Sequence, residues 1–94
     1  MTTIIAFHEV EDGEHWAKAW RKGSGSRREL LAEAGVTAVR TFRDPENPNS
    51  TGLLWEVSDM EKMQAFMESD EAKQAMAEDG LKVETLRMLV EFTP

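Results

Sequence analysis

The sequence predicts an α+β domain with the element order β-α-β-β-α-β. Three observations predict it. Four segments rich in Ile, Val, Leu, Phe and Trp are bounded by turn residues. Two longer stretches between them carry apolar residues three and four positions apart. The middle pair of strands is joined by a short polar connection holding Pro45, Asn47, Pro48 and Asn49. Connection rules leave few ways to fold that order. The natural one is ferredoxin-like: a four-stranded antiparallel sheet with the helices on one face, the split βαβ arrangement.

Each element follows from its residues. Thr2 to Val10 reads as a strand, with Ile4, Ala6, His8 and Val10 on one face and Ile5, Phe7 and Glu9 on the other. Apolar residues in both phases suit a central strand covered on both sides. Asp12 to Lys22 reads as a helix capped by Asp12, with Trp16 and Trp20 on one face. Gly23-Ser24-Gly25 interrupts it. Ser26-Arg27-Arg28-Glu29 has capping-box spacing and opens a second helical piece, which Gly35 ends. Val36 to Arg43 and Thr51 to Val57 form a hairpin. A turn centred near Asn47–Pro48 sets Phe42 opposite Leu54 and Arg40 opposite Glu56, an expected cross-strand ion pair. Ser58-Asp59-Met60-Glu61 is a second capping box, opening a helix striped with Met60, Met63, Phe66 and Met67. Ser69-Asp70 breaks or re-caps that helix, and Gly80 stops it. Lys82 to Glu91 is the last strand, with Leu86, Met88 and Val90 in one phase.

The chain has 94 residues, enough for one domain spanning 1–94 and too few for two. Its net charge of −7 repels phosphate backbones and anionic lipid, so neither nucleic acid nor membrane is an expected partner. The absence of cysteine excludes disulfides, thiolate nucleophiles and Cys-based zinc sites, and a cytoplasmic location is expected. Met1 to Val10 lacks the basic flank of a signal peptide, and no run approaches the ~18 apolar residues of a membrane span. Apolar residues on the uncovered sheet face need a partner, and a second copy of the chain is the simplest one.

Few residues can carry chemistry. His8, in mid-strand on the phase of Ile4 and Ala6, can act as a general base if a pocket opens above it. The alternative is a buried histidine bonded to a polar neighbour or placed at a dimer seam. His15, at the first helix start, is expected in solvent. His8, Glu9 and His15 have no ligand spacing, so no metal site is expected. Trp16, Trp20, Phe42, Trp55 and Phe66 either line a pocket for a flat apolar ligand or fill the core, and both can hold. Arg40 can orient an anionic oxygen or sit in a structural pair with Glu56. Gly23 to Ser26 beside Arg27 and Arg28 lacks P-loop spacing and reads as a hinge or flexible lid rather than an anion site. No nucleophile elbow is present.

The layout, with the run Leu53-Leu54-Trp55-Glu56-Val57-Ser58-Asp59 and then Phe66-Met67-Glu68-Ser69-Asp70-Glu71, resembles the dimeric α/β-barrel superfamily. That group includes antibiotic-biosynthesis monooxygenase-like, stress-responsive and small cyclase-like proteins. The resemblance implies a homodimer with sheets face to face and a pocket between each sheet and its helices. Haem-degrading members carry an Asn in the first strand, a Trp in the third and a His on the second helix. Trp55 matches, but the first strand has no Asn and residues 58–80 no His, so haem is not expected. Quinone-forming monooxygenases favour Asn and Tyr at the pocket, whereas this chain has no Tyr and holds its only Asn residues, Asn47 and Asn49, in the hairpin loop. Two readings remain. One is a cofactor-free, monooxygenase- or cyclase-like protein whose pocket is lined by Trp16, Trp20, Phe42 and Trp55, with His8 handling protons and Arg40 holding an anionic oxygen. The other is a non-catalytic homodimer that binds a ligand or protein.

Overall fold

The computed structural model describes every residue except Lys22 and Ser24. The expected helix end at Lys22 and the break at Ser24 lie outside the described residues. The elements are β1 (Thr2–Glu9), α1 (Gly13–Ala19), α2 (Arg27–Glu33), β2 (Val36–Arg43), β3 (Ser50–Val57), α3 (Met60–Met67), α4 (Asp70–Glu78), a 3₁₀ turn (Val83–Thr85) and β4 (Arg87–Val90). The strands form one antiparallel sheet in the order β2-β3-β1-β4, the ferredoxin-like α+β fold. Each predicted helix is a pair of short helices. Ser69 makes the second break by capping α4, its hydroxyl accepting from the Ala72 N–H at 3.2 Å.

Strand alternation sorts the residues between two unlike faces. Ile4, Ala6 and His8 of β1 and Thr51, Leu53, Trp55 and Val57 of β3 are buried on the helix-covered face. They pack with Trp16, Trp20, Leu31 and Met63 into one core. Ile5, Phe7, Phe42 and Leu89 share the opposite face with half-buried Leu54 and remain exposed.

Several local expectations need correction. The hairpin register is displaced by two residues: Phe42 faces Gly52, Arg40 faces Leu54, and Glu56 faces Ala38. The turn therefore centres on Asn47, where Asp44 N–H donates to Ser50 and Ser50 N–H to Asn47. Arg40 and Glu56 form no pair. Glu56 instead accepts from the Thr3 hydroxyl at 3.0 Å, and the Arg40 guanidinium lies 5.6 Å from the Phe42 ring centre. The capping boxes are incomplete. Asp59, not Ser58, caps α3 by accepting from Lys62 N–H, while the Ser58 hydroxyl donates to the Gly35 carbonyl at 2.9 Å. Ser26 starts α2 with no side-chain cap bond, and Glu29 reaches past it to the Gly25 N–H. The last strand begins at Arg87 rather than Lys82, because residues 83–85 close a 3₁₀ turn first.

The arginines after the glycine-rich segment have structural partners. Arg28 donates to the carbonyls of Trp20 and Val39, tying α1, α2 and β2 together. Arg27 makes a two-pronged bond to Asp79 at 2.9 Å and a further bond to Glu78, clamping α2 to the end of α4.

Gly13 is a close-approach point. It is buried beneath the hairpin loop, where its N–H donates to the Asn49 side chain at 2.8 Å and its carbonyl accepts from Arg43. A Cβ there would collide with the Pro48 carbonyl. Gly13→Ala is expected to destabilise the protein by about 2–3 kcal/mol, read as a lower urea midpoint with unchanged slope.

Candidate functional site

Large side chains rise from β1 and β3 and meet large side chains from α1. His8 and Trp16 pack edge to face at 5.7 Å, and Trp16 lies 6.2 Å from Trp20. Smaller and more flexible residues border the same space: Ala6 on the sheet, Ala72, Ala75 and Met76 on α4, and Met67 on α3. Together these side chains border a cavity of about 60 Å³. Its walls include His8, Trp16, Trp20, Trp55, Phe66 and Leu53, and the Arg27–Asp79 pair also lines it. All three tryptophans of the chain border this one space.

The polar groups in these walls are few. His8 is 5% exposed. The Thr51 hydroxyl lies against His8 Nδ1 and donates to the His8 backbone carbonyl at 2.9 Å. Burial lowers the pKa of His8 below the usual 6.5, partly offset by its own backbone and by the Asp79 charge. The ring is therefore neutral near pH 7. Its Nε2 has no hydrogen-bond partner among the described residues. The indole N–H groups of Trp20 and Trp55 are also buried without a partner. A buried donor with no protein acceptor calls for a ligand or water in the adjoining space. Asp79 is buried too, but Arg27 satisfies its carboxylate, and that hydrogen bond raises the Arg27 pKa.

The sequence-predicted site residues separate into two groups. His8, Trp16, Trp20, Trp55 and Phe66 come together around the cavity. Arg40 and Phe42 do not. Both lie on the outer sheet face, pairing with Leu54 and Gly52, so neither reaches the cavity of its own chain. The reason is the two-residue period of a strand, which puts the side chain of Phe42 on the face opposite that of Trp55. His15 is exposed as expected, with Nε2 donating to the Glu78 carbonyl at 2.7 Å. Sequence reasoning missed Thr51 and Asp79, and it weighed Arg27 only as a weak anion contact. Thr51 was findable in part, because it shares the phase of Leu53 and Trp55. Its place opposite His8 depends on the β1–β3 register. No group of three or more His, Asp or Glu side chains is arranged to hold a metal among the described residues. Among the same residues, no helix is long and apolar enough to cross a membrane.

No family model and no curated protein matches the sequence. Solved structures do match the fold. A candidate antibiotic biosynthesis monooxygenase from Nitrosomonas europaea superposes with a TM-score of 0.68 at 14% identity, covering 99% of this chain and 98% of that one. SnoaB, a cofactor-independent oxygenase from Streptomyces nogalater, gives 0.67 at 13% identity over 98% of this chain and 91% of its own. A candidate antibiotic biosynthesis monooxygenase from Bordetella bronchiseptica gives 0.66 at 19% identity over 99% and 96%. The chain thus shares the ferredoxin-like fold of monooxygenase-like proteins along its whole length.

The lowered pKa of His8 has a sign that can be checked. Unfolded, the ring takes up a proton near pH 6.5; folded, it resists. Between those two values the unfolded state binds more protons, so stability falls as pH falls through that window. Urea midpoints measured at about pH 7.5 and about pH 5.5 should drop for the native chain, and His8→Gln should shrink the difference.

Proposed function

We propose that the chain is a small-molecule-binding protein that oxidises an apolar aromatic substrate without a cofactor, in the manner of the monooxygenases whose fold it shares. One observation carries this reading: a neutral, buried histidine with an unpartnered ring nitrogen borders an apolar cavity walled by three tryptophans. A flat substrate with an acidic CH₂ beside a carbonyl fits that chemistry. His8 Nε2 takes the proton from the CH₂. The N–H groups of Trp20 and Trp55, buried without a partner, would stabilise the enolate oxygen that forms. The carbanion then reduces dioxygen, one oxygen atom becoming the new C=O and the other leaving as water. Overall, CH₂ plus O₂ gives C=O plus H₂O. At about 60 Å³ the cavity is smaller than a polycyclic ring system, so a ligand of that size needs its walls to give.

Anthrone is a suitable probe. In air it should be converted to anthraquinone with uptake of one O₂, and binding should quench the tryptophan emission, since all three tryptophans border the cavity. His8→Gln should lower turnover by roughly 100-fold. Unaltered tryptophan emission with anthrone and with other aromatic ligands would exclude the cavity as a binding site. Binding without turnover would favour a non-catalytic ligand-binding module, a reading that the small cavity volume supports.

The outer sheet face supports a homodimer as the working form. Phe7 and Leu89 are 50% and 58% exposed there, beside Ile5, Phe42 and Leu54. Arg40, Arg87, Glu9 and Glu56 lie on the same face, so it carries both signs of charge and can complement itself across a two-fold axis. Light scattering at micromolar concentration should give twice the chain mass, and Phe7→Asp should give the chain mass with an unchanged circular dichroism spectrum.

A further inference from the structure

We infer that Thr51 is a positioning residue that locks His8 in the tautomer carrying its proton on Nδ1, so that Nε2 presents a bare lone pair to the cavity. The argument is a count of protons. A threonine hydroxyl has one proton to give. The His8 backbone carbonyl can only accept, and it lies 2.9 Å from Thr51 Oγ1. That contact takes the hydroxyl proton. His8 Nδ1 is in hydrogen-bond contact with the same oxygen. With its own proton spent, Oγ1 can only accept from Nδ1, so Nδ1 carries the hydrogen.

The opposite assignment breaks one of the two contacts and leaves a ring proton without an acceptor. If Nδ1 were bare and Thr51 donated to it, the His8 carbonyl would lose the hydroxyl. Nε2 would then carry a proton with no acceptor among the described residues, beside two buried indole donors already unpartnered. The one carboxylate in the cavity wall, Asp79, is engaged on both oxygens by Arg27. The pairing is also fixed by the backbone. His8 and Thr51 face each other directly across β1 and β3, so neither side chain needs to reach. A neutral histidine in water slightly prefers the proton on Nε2. Thr51 therefore opposes the intrinsic preference and turns a buried ring into an acceptor aimed at the site.

The inference rests on the proposed role of His8 as a proton acceptor, but its test does not. The chain has only two histidines, so long-range ¹H–¹⁵N spectra of the whole protein resolve both rings, and His8→Gln assigns them. At neutral pH, His8 should show a protonated Nδ1 and a bare Nε2. Thr51→Ser should keep that pattern, and Thr51→Val should shift it toward Nε2–H. With anthrone, Thr51→Val should lower kcat on the order of tenfold or more with little change in KM, and Thr51→Ser should restore it. A native spectrum with Nε2–H, or with a doubly protonated ring, would overturn the inference even if Thr51→Val fails to fold. The expected tautomer in a protein that leaves anthrone untouched would retain Thr51 as the positioning residue and remove the oxygenase reading alone.

Discussion

The packing of three tryptophans against one face of β1 and β3 is the interaction on which the rest of this structure depends. Indoles are large and rigid, and they bury more apolar surface than any other side chain. Trp55 stands on the sheet, while Trp16 and Trp20 come down from α1. They share the cavity wall with small residues, Ala6, Ala72 and Ala75, and with flexible ones, Met67 and Met76. Protein interiors are otherwise packed as tightly as organic crystals. The space beside the indoles is nonetheless bordered by residues that also build the core. Stability and cavity share residues here. A redesign that filled the space, for example by enlarging Ala72, would act on both.

The polar groups at this cavity are unusual for their cost. Each unpaired buried donor costs about 1–3 kcal/mol in a small protein with little stability to spare. Trp20 and Trp55 both carry that cost, and the chain offsets it with apolar burial rather than with internal acceptors. By contrast, the charged groups nearby are fully paired. Arg27 and Asp79 close on each other with two-pronged geometry, so the cavity wall contains ions without presenting a free charge. The site is consequently electrically quiet and rich in donors.

How much of this was legible in the sequence varied with distance along the chain. Local patterns were the most reliable. The phase of Ile4, Ala6 and His8, the Asp12 cap and the restart at Ser69 all depend on neighbours within a few residues, and the structure has each of them. Register was less legible. The loop from Asp44 to Asn49 turns one residue earlier than its prolines suggested, which moves every cross-strand partner by two positions and dissolves the expected Arg40–Glu56 pair. A shift of two preserves the facing, so the error was in partners, not in sides. The placement of Phe42 beside Trp55 was a different kind of error. It grouped aromatics by type where the strand period already divided them. The His8–Thr51 contact and the Arg27–Asp79 clamp join residues 43 and 52 positions apart, and nothing in either local pattern announces its partner.

Strand period also explains why the two faces of the sheet present different problems to the chain. On the inner face the helices supply a cover, and the unsolved part is a small space with polar groups at its edge. On the outer face no element of the chain supplies a cover, and Phe7, Phe42 and Leu89 stay exposed. The cost of the second problem scales with area, at roughly 25 cal/mol per Å² of apolar surface. The cost of the first scales with the number of unmet hydrogen bonds. A sheet partner would relieve one and a bound ligand the other. The strands connect them mechanically, because Phe7 and His8 are adjacent residues of β1 that point to opposite faces. A partner that pressed on Phe7 would bear, through a single peptide unit, on the ring whose tautomer Thr51 holds.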